Sequence, residues 1–443
     1  MNYDLKIVGG HVFDGDGGDA VRADVGITNG VIVDVGECAG SADRVTDAEG
    51  GIVTPGFIDL HTHYDGQVSW DEELRPSVNF GVTTAILGNC GVGFAPVRPD
   101  DRERLIRLME GVEDIPGTAL HEGITWNWES FPEYMDAIDA LPHTINFGVM
   151  AVHDPIRVYV MGERAICSEP ASDEDIEKMH KLVSAAMDAG AAGFSTGRTD
   201  VHRTADGDWT PSSEATREEL VGIASALKGR KAGVLQLVND FNLERPGDEF
   251  NEEFSLIESF VRAGQRPASI SLMQRDFAPD QWLRILEETE RLNAEGVDFR
   301  VQVAPRAIGV FNGLQCTFHP LLAQPSYLAI KDKPLDERVM IMRDPEFRRQ
   351  CLSERPITLA GEGSSVPPLV DRIISEIDTI ALKLFRLGEV PDYEQTAEQS
   401  LGAEAKRDGV PVMEKLYDVC LEMDGRQLIY FPTVSYTHLR AHE

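Results

Sequence analysis

The chain has 443 residues, with 75 Asp and Glu against 41 Lys and Arg, for a formal net charge of −34. A field of that sign repels nucleic acid and anionic membrane surfaces, so neither is expected as a partner. No apolar run approaches membrane-span length and the first residues lack the basic and apolar regions of a signal peptide, so a cytoplasmic protein is expected. The six cysteines, at 38, 90, 167, 316, 351 and 420, have no paired spacing and are expected to be free thiols.

Residues 1–55 read as a small β unit. Its short β-prone runs, at 5–8, 12–13, 23–27 and 31–35, are separated by turn residues. Among these Asn29-Gly30 is the strongest short hairpin signal a sequence offers. From residue 56 the pattern changes to strands alternating with amphipathic helices, which predicts parallel βαβ units. Strands are expected at 57–61, 82–88, 144–151, 191–196, 233–238, 268–273 and 299–304. Ser130-x-x-Glu133 and Ser172-x-x-Asp175 have capping-box spacing and predict helices over 131–140 and 173–189. Seven strands of this kind are one short of a (β/α)8 TIM-like barrel. The expected organisation is therefore a β part over 1–55 and a barrel over 56–433. Residues 434–443 follow without compositional logic and match the translation of a common sequencing adapter, so they are set aside with His438 and His442.

The stretch Thr54-Pro-Gly-Phe-Ile-Asp-Leu-His-Thr-His63 organises the rest. Phe57 to Leu60 read as a short buried strand, closed by His61 and His63. Side chains two apart on a strand share a side, so both imidazoles can face one point beyond its carboxyl end. That pattern predicts a pair of metal ligands, and imidazole suits zinc.

Several blocks together resemble the amidohydrolase superfamily, in particular its N-acyl-D-amino-acid deacylase (D-aminoacylase-like) group. They are the 54–63 stretch, Gly81-Val-Thr-Thr-Ala-Ile-Leu-Gly-Asn-Cys-Gly-Val-Gly-Phe-Ala-Pro96, Met109-Glu-Gly-Val-Glu-Asp-Ile-Pro116, Trp126-Asn-Trp-Glu-Ser-Phe131, Gly190-Ala-Ala-Gly-Phe-Ser-Thr-Gly197 and Val301-Gln-Val-Ala-Pro305. The resemblance implies a metal-bearing (β/α)8 barrel with a small β-sandwich built from both chain ends. It further implies hydrolysis of the C–N bond of an N-acyl amino acid, and a cysteine ligand at the end of the second strand, which here is Cys90. A thiolate beside a dication bonds zinc well. Without the resemblance, a buried unreactive thiol is the reading of Cys90.

Two departures from the group's pattern are visible. Gln236 and Gln274 stand near the ends of the fifth and sixth strands, where the best-known deacylases carry histidines. An amide oxygen is a poor substitute for imidazole on zinc, so one firmly bound Zn2+ is expected, with a second weak or absent. The group's metal-binding and proton-shuttling Asp belongs to an eighth strand expected beyond residue 433. The chain as written is thus expected to be a carboxy-terminally truncated, inactive fragment with an exposed half-sandwich. Candidate substrate-binding residues at the barrel mouth are His153, Arg157, Arg198, His202 and Gln236, with Arg275, Arg306 and His319 as further polar groups. An arginine fork would suit the substrate carboxylate, although salt bridges within loops are the plain alternative. Hydrolysis of another linear or cyclic amide and a non-catalytic metal-binding barrel stay open as rivals, and so does an oligomer.

Overall fold

The computed structural model describes residues 2–242, 248–275, 278–304, 308–360, 364, 366 and 368–434. Arg306 and residues 435–443, including His438 and His442, lie outside these. By internal contacts the chain divides into two compact units. One takes in the chain up to His61 with Glu72–Ile86 and His143–Phe147; the other takes in Thr62–Asp71, Leu87–Pro142 and the chain from Gly148 onward.

In the first unit, β1 (Asn2–Val12), β2 (Val21–Thr28), β3 (Val31–Gly36), β4 (Ser41–Asp47) and β5 (Ile52–Val53) form a sheet ordered β3-β2-β1-β4, with β5 also on β1. The β2–β3 hairpin turns at Asn29 and Gly30, with φ of 51° and 74°. Both residues sit in the left-handed region that a two-residue hairpin turn requires, which Asn and Gly tolerate best. Strand β4 was not legible in the sequence. Its residues Ser-Ala-Asp-Arg-Val-Thr-Asp are mostly exposed, and what makes it a strand is parallel pairing to β1.

The strands expected after residue 56 are present as β6 (Phe57–Asp59), β7 (Val82–Leu87), β8 (Asn146–Val152), β9 (Gly193–Arg198), β10 (Val234–Asn239), β11 (Ala268–Ser271) and β12 (Phe299–Gln302). They follow one another in sequence order through a seven-stranded sheet, and the pairings of β6–β7 and of β8 through β12 are parallel. This is the arrangement of a TIM-like barrel wall. All six residues of β9 and five of six in β10 are buried, as parallel strands covered on both faces must be.

One expectation is corrected. Phe57 and Ile58 are 60% and 59% exposed, not buried. The reason is position: β6 is an end strand of the sheet and has a strand neighbour, β7, on one side only.

Helices α1 (Arg102–Glu113), α2 (Gly117–Gly123), α3 (Phe131–Asp139), α4 (His153–Met161), α5 (Glu163–Ile166), α6 (Asp173–Asp188), α7 (Arg217–Ala224), α8 (Phe250–Gly264) and α9 (Gln281–Ala294) connect the strands. Both expected capping boxes are formed. The Ser130 hydroxyl accepts the Glu133 N–H and the Ser172 hydroxyl that of Asp175, while each carboxylate accepts the cap residue's own N–H. After β12 the chain departs from strand–helix alternation. Strands β13 (Ile308–Asn312), β14 (Phe385–Arg386) and β15 (Ile429–Val434) form an antiparallel sheet ordered β13-β15-β14. The intervening helices bury a core of their own, which includes Leu321, Tyr327, Met342, Leu416 and Tyr417.

Candidate functional site

The sequence places two loops at the strand ends. His61 and His63 follow β6, and Gly88 to Gly91 follow β7. The Asn89 side-chain amide donates to the Thr62 carbonyl at 3.3 Å, tying one loop to the other. One ring nitrogen each from His61 and His63 and the Cys90 Sγ all lie within 4.8 Å of one another. Among the described residues this is the one group of His, Cys, Asp or Glu side chains drawn together in that way.

Close backbone contact sets the position of Cys90. A Cβ on Gly197 would stand 2.4 Å from the Cys90 carbonyl oxygen, and one on Gly91 would stand 2.9 Å from the Gly197 nitrogen. Only glycine allows the loop after β7 to press on β9 this tightly. Cys90 itself has φ 57°, and its N–H donates to Gln236 Oε1 at 3.2 Å. Gln236 is thereby explained: its oxygen orients the Cys90 backbone.

Carboxylates crowd the cluster. Glu113 Oε1 lies 3.2 Å from His63 Nε2. Asp65 is buried, and burial pushes its carboxyl up to about 7. Asp154 is buried too and accepts the Ser212 N–H at 2.6 Å; burial raises its carboxyl to about 6. Burial first, then the charges of Glu113, Asp65 and Asp154, hold the Cys90 thiol well above its ordinary value. Asp65 Oδ2, Asp154 Oδ2 and Gln236 Nε2 are buried without a hydrogen-bond partner. Buried polar atoms are rarely left so, and three around one thiol fit a site meant to hold a cation and its hydration. The donor set, two imidazoles and a thiol, fits zinc.

The other expected site residues are placed differently. His153 is fully buried, with Nδ1 2.8 Å from Thr196 Oγ1 and Nε2 3.1 Å from Glu219 Oε1. Arg157 is fully buried as well. Its Nε donates to Glu219 at 2.8 Å, and its terminal nitrogens donate to the carbonyls of Pro211 (2.8 Å), Glu169 (2.6 Å) and Ala165 (3.3 Å). Arg198 donates twice to Glu253, at 2.9 and 2.8 Å, and to the Ala215 carbonyl at 2.7 Å. In each case an internal carboxylate occupies the planar fork of the guanidinium. His202 is half-buried in the turn after β9, where its N–H donates to Thr199 Oγ1 at 3.1 Å. Arg275 donates to the Asn239 carbonyl at 3.0 Å. His319 packs edge-on against Tyr327, at 4.4 Å between ring centroids, in the helical core.

Residues 44–355 match the amidohydrolase family. The chain belongs to that family. Over 226 residues it is 33% identical to the D-aminoacylase of Alcaligenes xylosoxydans xylosoxydans, a match covering 51% of this chain and 42% of that protein. Over 309 residues it is 29% identical to the N-acyl-D-glutamate deacylase of the same organism, covering 68% of this chain and 57% of that protein. This amidohydrolase-family chain thus spans roughly half the length of these curated relatives. Among solved structures, a D-aminoacylase crystal structure superposes with a TM-score of 0.57 at 22% identity, covering 98% of this chain and 72% of that one. An N-acyl-D-glutamate deacylase from Bordetella bronchiseptica, complexed with zinc and a phosphonate inhibitor, gives 0.55 at 21%, with the same coverage. At these identities the likeness establishes the shared fold.

Glu113, Glu219 and Glu253 were not singled out in the sequence. Glu113 had a signal, since it lies in the block Met109–Pro116. Glu219 and Glu253 had none, being ordinary acidic residues on amphipathic helices.

Proposed function

We propose that this protein is a metal-dependent hydrolase of the C–N bond in N-acyl amino acids, with His61, His63 and Cys90 as the donors to one zinc ion. The observation that carries this reading is the convergence of three ligand atoms within 4.8 Å at the ends of two adjacent strands. A zinc ion here would supply carbonyl polarisation and acidification of water. The chain's own contribution is positional. Gly91 and Gly197 let the Cys90 loop seat against β9, Gln236 fixes the Cys90 amide, and Asn89 holds the histidine loop. The pair of Arg157 with Glu219 and that of Arg198 with Glu253 are buried internal ion pairs; we assign them no contact with substrate. His202, less buried than either arginine, remains our candidate for that contact. The substrate class is drawn from the relatives, which are named D-aminoacylase and N-acyl-D-glutamate deacylase.

A second reading is a metal-binding barrel without catalysis. It is favoured by Gln236, whose oxygen is engaged by the Cys90 backbone N–H. Both are tested by purifying the chain, measuring its zinc content, and following amine release from a panel of N-acetyl-D- and N-acetyl-L-amino acids. Zinc with stereoselective amine release supports the hydrolase. Zinc near one equivalent without release, both from this chain and from the complete natural gene product, supports the second reading, and no zinc overturns both.

A further inference from the structure

The block Met109-Glu-Gly-Val-Glu-Asp-Ile-Pro116 ends α1, and its residues fix where that helix stops. Met109 is buried. Glu110 Oε1 accepts the Gly117 N–H at 3.1 Å, capping the start of α2. A Cβ on Gly111 would stand 2.3 Å from the Arg203 carbonyl oxygen and 2.4 Å from the Ala205 nitrogen, so the helix lies directly on the segment after β9. The Ala205 N–H donates to the Arg107 carbonyl at 3.0 Å across the same contact. Asp114, at φ 55°, then breaks the helix. A helix pinned on two sides in this way delivers its last residue, Glu113, to a fixed place. That place is beside His63, with the carboxylate only 20% exposed.

We propose that Glu113 is a positioning residue for His63, holding the imidazole through Nε2 so that the ring presents one orientation and one tautomer to a metal ion. This rests on the reading of His61, His63 and Cys90 as zinc donors. Glu113 is not one of the mutually close donors, and its contact is with the His63 ring. A carboxylate that touches a ligand's ring acts on the metal through that ring, and loss of such a partner weakens binding by about 10- to 100-fold. An ordinary exposed ion pair would do far less. It would also need neither the glycine contact nor the helix break that set Glu113 here.

The test is a cobalt(II) titration of the full chain, read by the thiolate-to-cobalt absorption band, on the wild type, Glu113→Gln and Glu113→Asp. Glu113→Gln keeps the shape and replaces the carboxyl by an amide that cannot ionise; it is expected to weaken cobalt binding about 10- to 100-fold. Glu113→Asp is expected to recover part of that loss. The thermal midpoint of the metal-free protein is expected to be the same in all three. Cobalt affinity of Glu113→Gln within about twofold of wild type overturns the assignment. So does a metal-free midpoint that falls together with affinity, because that marks a structural ion pair. If the wild type takes up no cobalt, the donor reading itself fails and the positioning role fails with it. If the wild type binds and Glu113→Gln binds equally, the positioning role alone fails.

Discussion

Deleting the Glu219 carboxylate tests whether its buried pair with Arg157 holds the fold as described. Glu219 is fully buried, with Oε1 2.8 Å from Arg157 Nε and 3.1 Å from His153 Nε2. Burial alone would push its carboxyl up, but His153 and Arg157 outweigh burial and hold it below the usual range. In Glu219→Ala the guanidinium keeps three carbonyl acceptors, those of Ala165, Pro211 and Glu169, and loses its counter-charge. At an effective dielectric of about 20 and a charge separation of about 4 Å, the lost attraction is about 4 kcal/mol. Removing one member of a buried pair costs about 3–5 kcal/mol in general, so both routes agree. Replacing both members by apolar residues, Glu219→Leu with Arg157→Met, leaves no stranded charge and is expected to be much milder than either substitution alone. Urea unfolding followed by circular dichroism, completed as a double-mutant cycle, measures this. A single-variant loss below about 1 kcal/mol, or strict additivity in the cycle, would refute the account of Arg157 as a charge held by Glu219.

Gly197→Ala is expected to destabilise by about 1–3 kcal/mol and to weaken cobalt binding, because its Cβ would meet the Cys90 carbonyl at 2.4 Å; a normal thermal midpoint with normal binding would contradict the contact. Ser172→Ala should lower stability by about 1 kcal/mol through loss of the α6 cap, read from the urea midpoint, whereas Ser172→Asp should retain most of it. His319 is held neutral by burial, which lowers its pKa from 6.5 to about 3. The unfolded chain therefore takes up a proton below pH 6.5 that the folded one refuses until about pH 3. Its contribution to stability is full above pH 6.5 and declines as pH falls through that window. His319→Phe should flatten the slope of unfolding midpoint against pH between 6.5 and 4.5, and an unchanged slope would count against burial as the cause.

The legibility of the sequence followed the range of the interactions. Strand parity put His61 and His63 on one side, and the resemblance added Cys90; the three atoms do lie together. The two capping boxes were readable because the groups that form them are three residues apart. Glu219 shows where local reading stops. Its N–H donates to the Thr216 hydroxyl at 3.2 Å, as in a helix start facing solvent, yet its carboxylate turns inward to Arg157, 62 residues earlier. No local pattern distinguishes that glutamate from a surface one. The same holds for Arg157 and Arg198, whose carboxylate partners, Glu219 and Glu253, lie far away in the sequence. Phe57 and Ile58 look like core residues by composition, and only the end position of β6 in the sheet explains their exposure. The region after β12 was the least readable, since its helices bury their faces against each other and not against the parallel sheet.

The backbone at Cys90 has an evolutionary consequence. With φ at 57° the residue occupies a conformation that penalises a side chain by about 1–2 kcal/mol, while glycine adopts it freely. Its flanking Gly88 and Gly91 already have positive φ, so a third glycine would fit the turn. A lineage that no longer needed the thiol would have a downhill mutational path toward Gly-Asn-Gly-Gly, whereas one that needs it must hold cysteine against the preference of its own main chain.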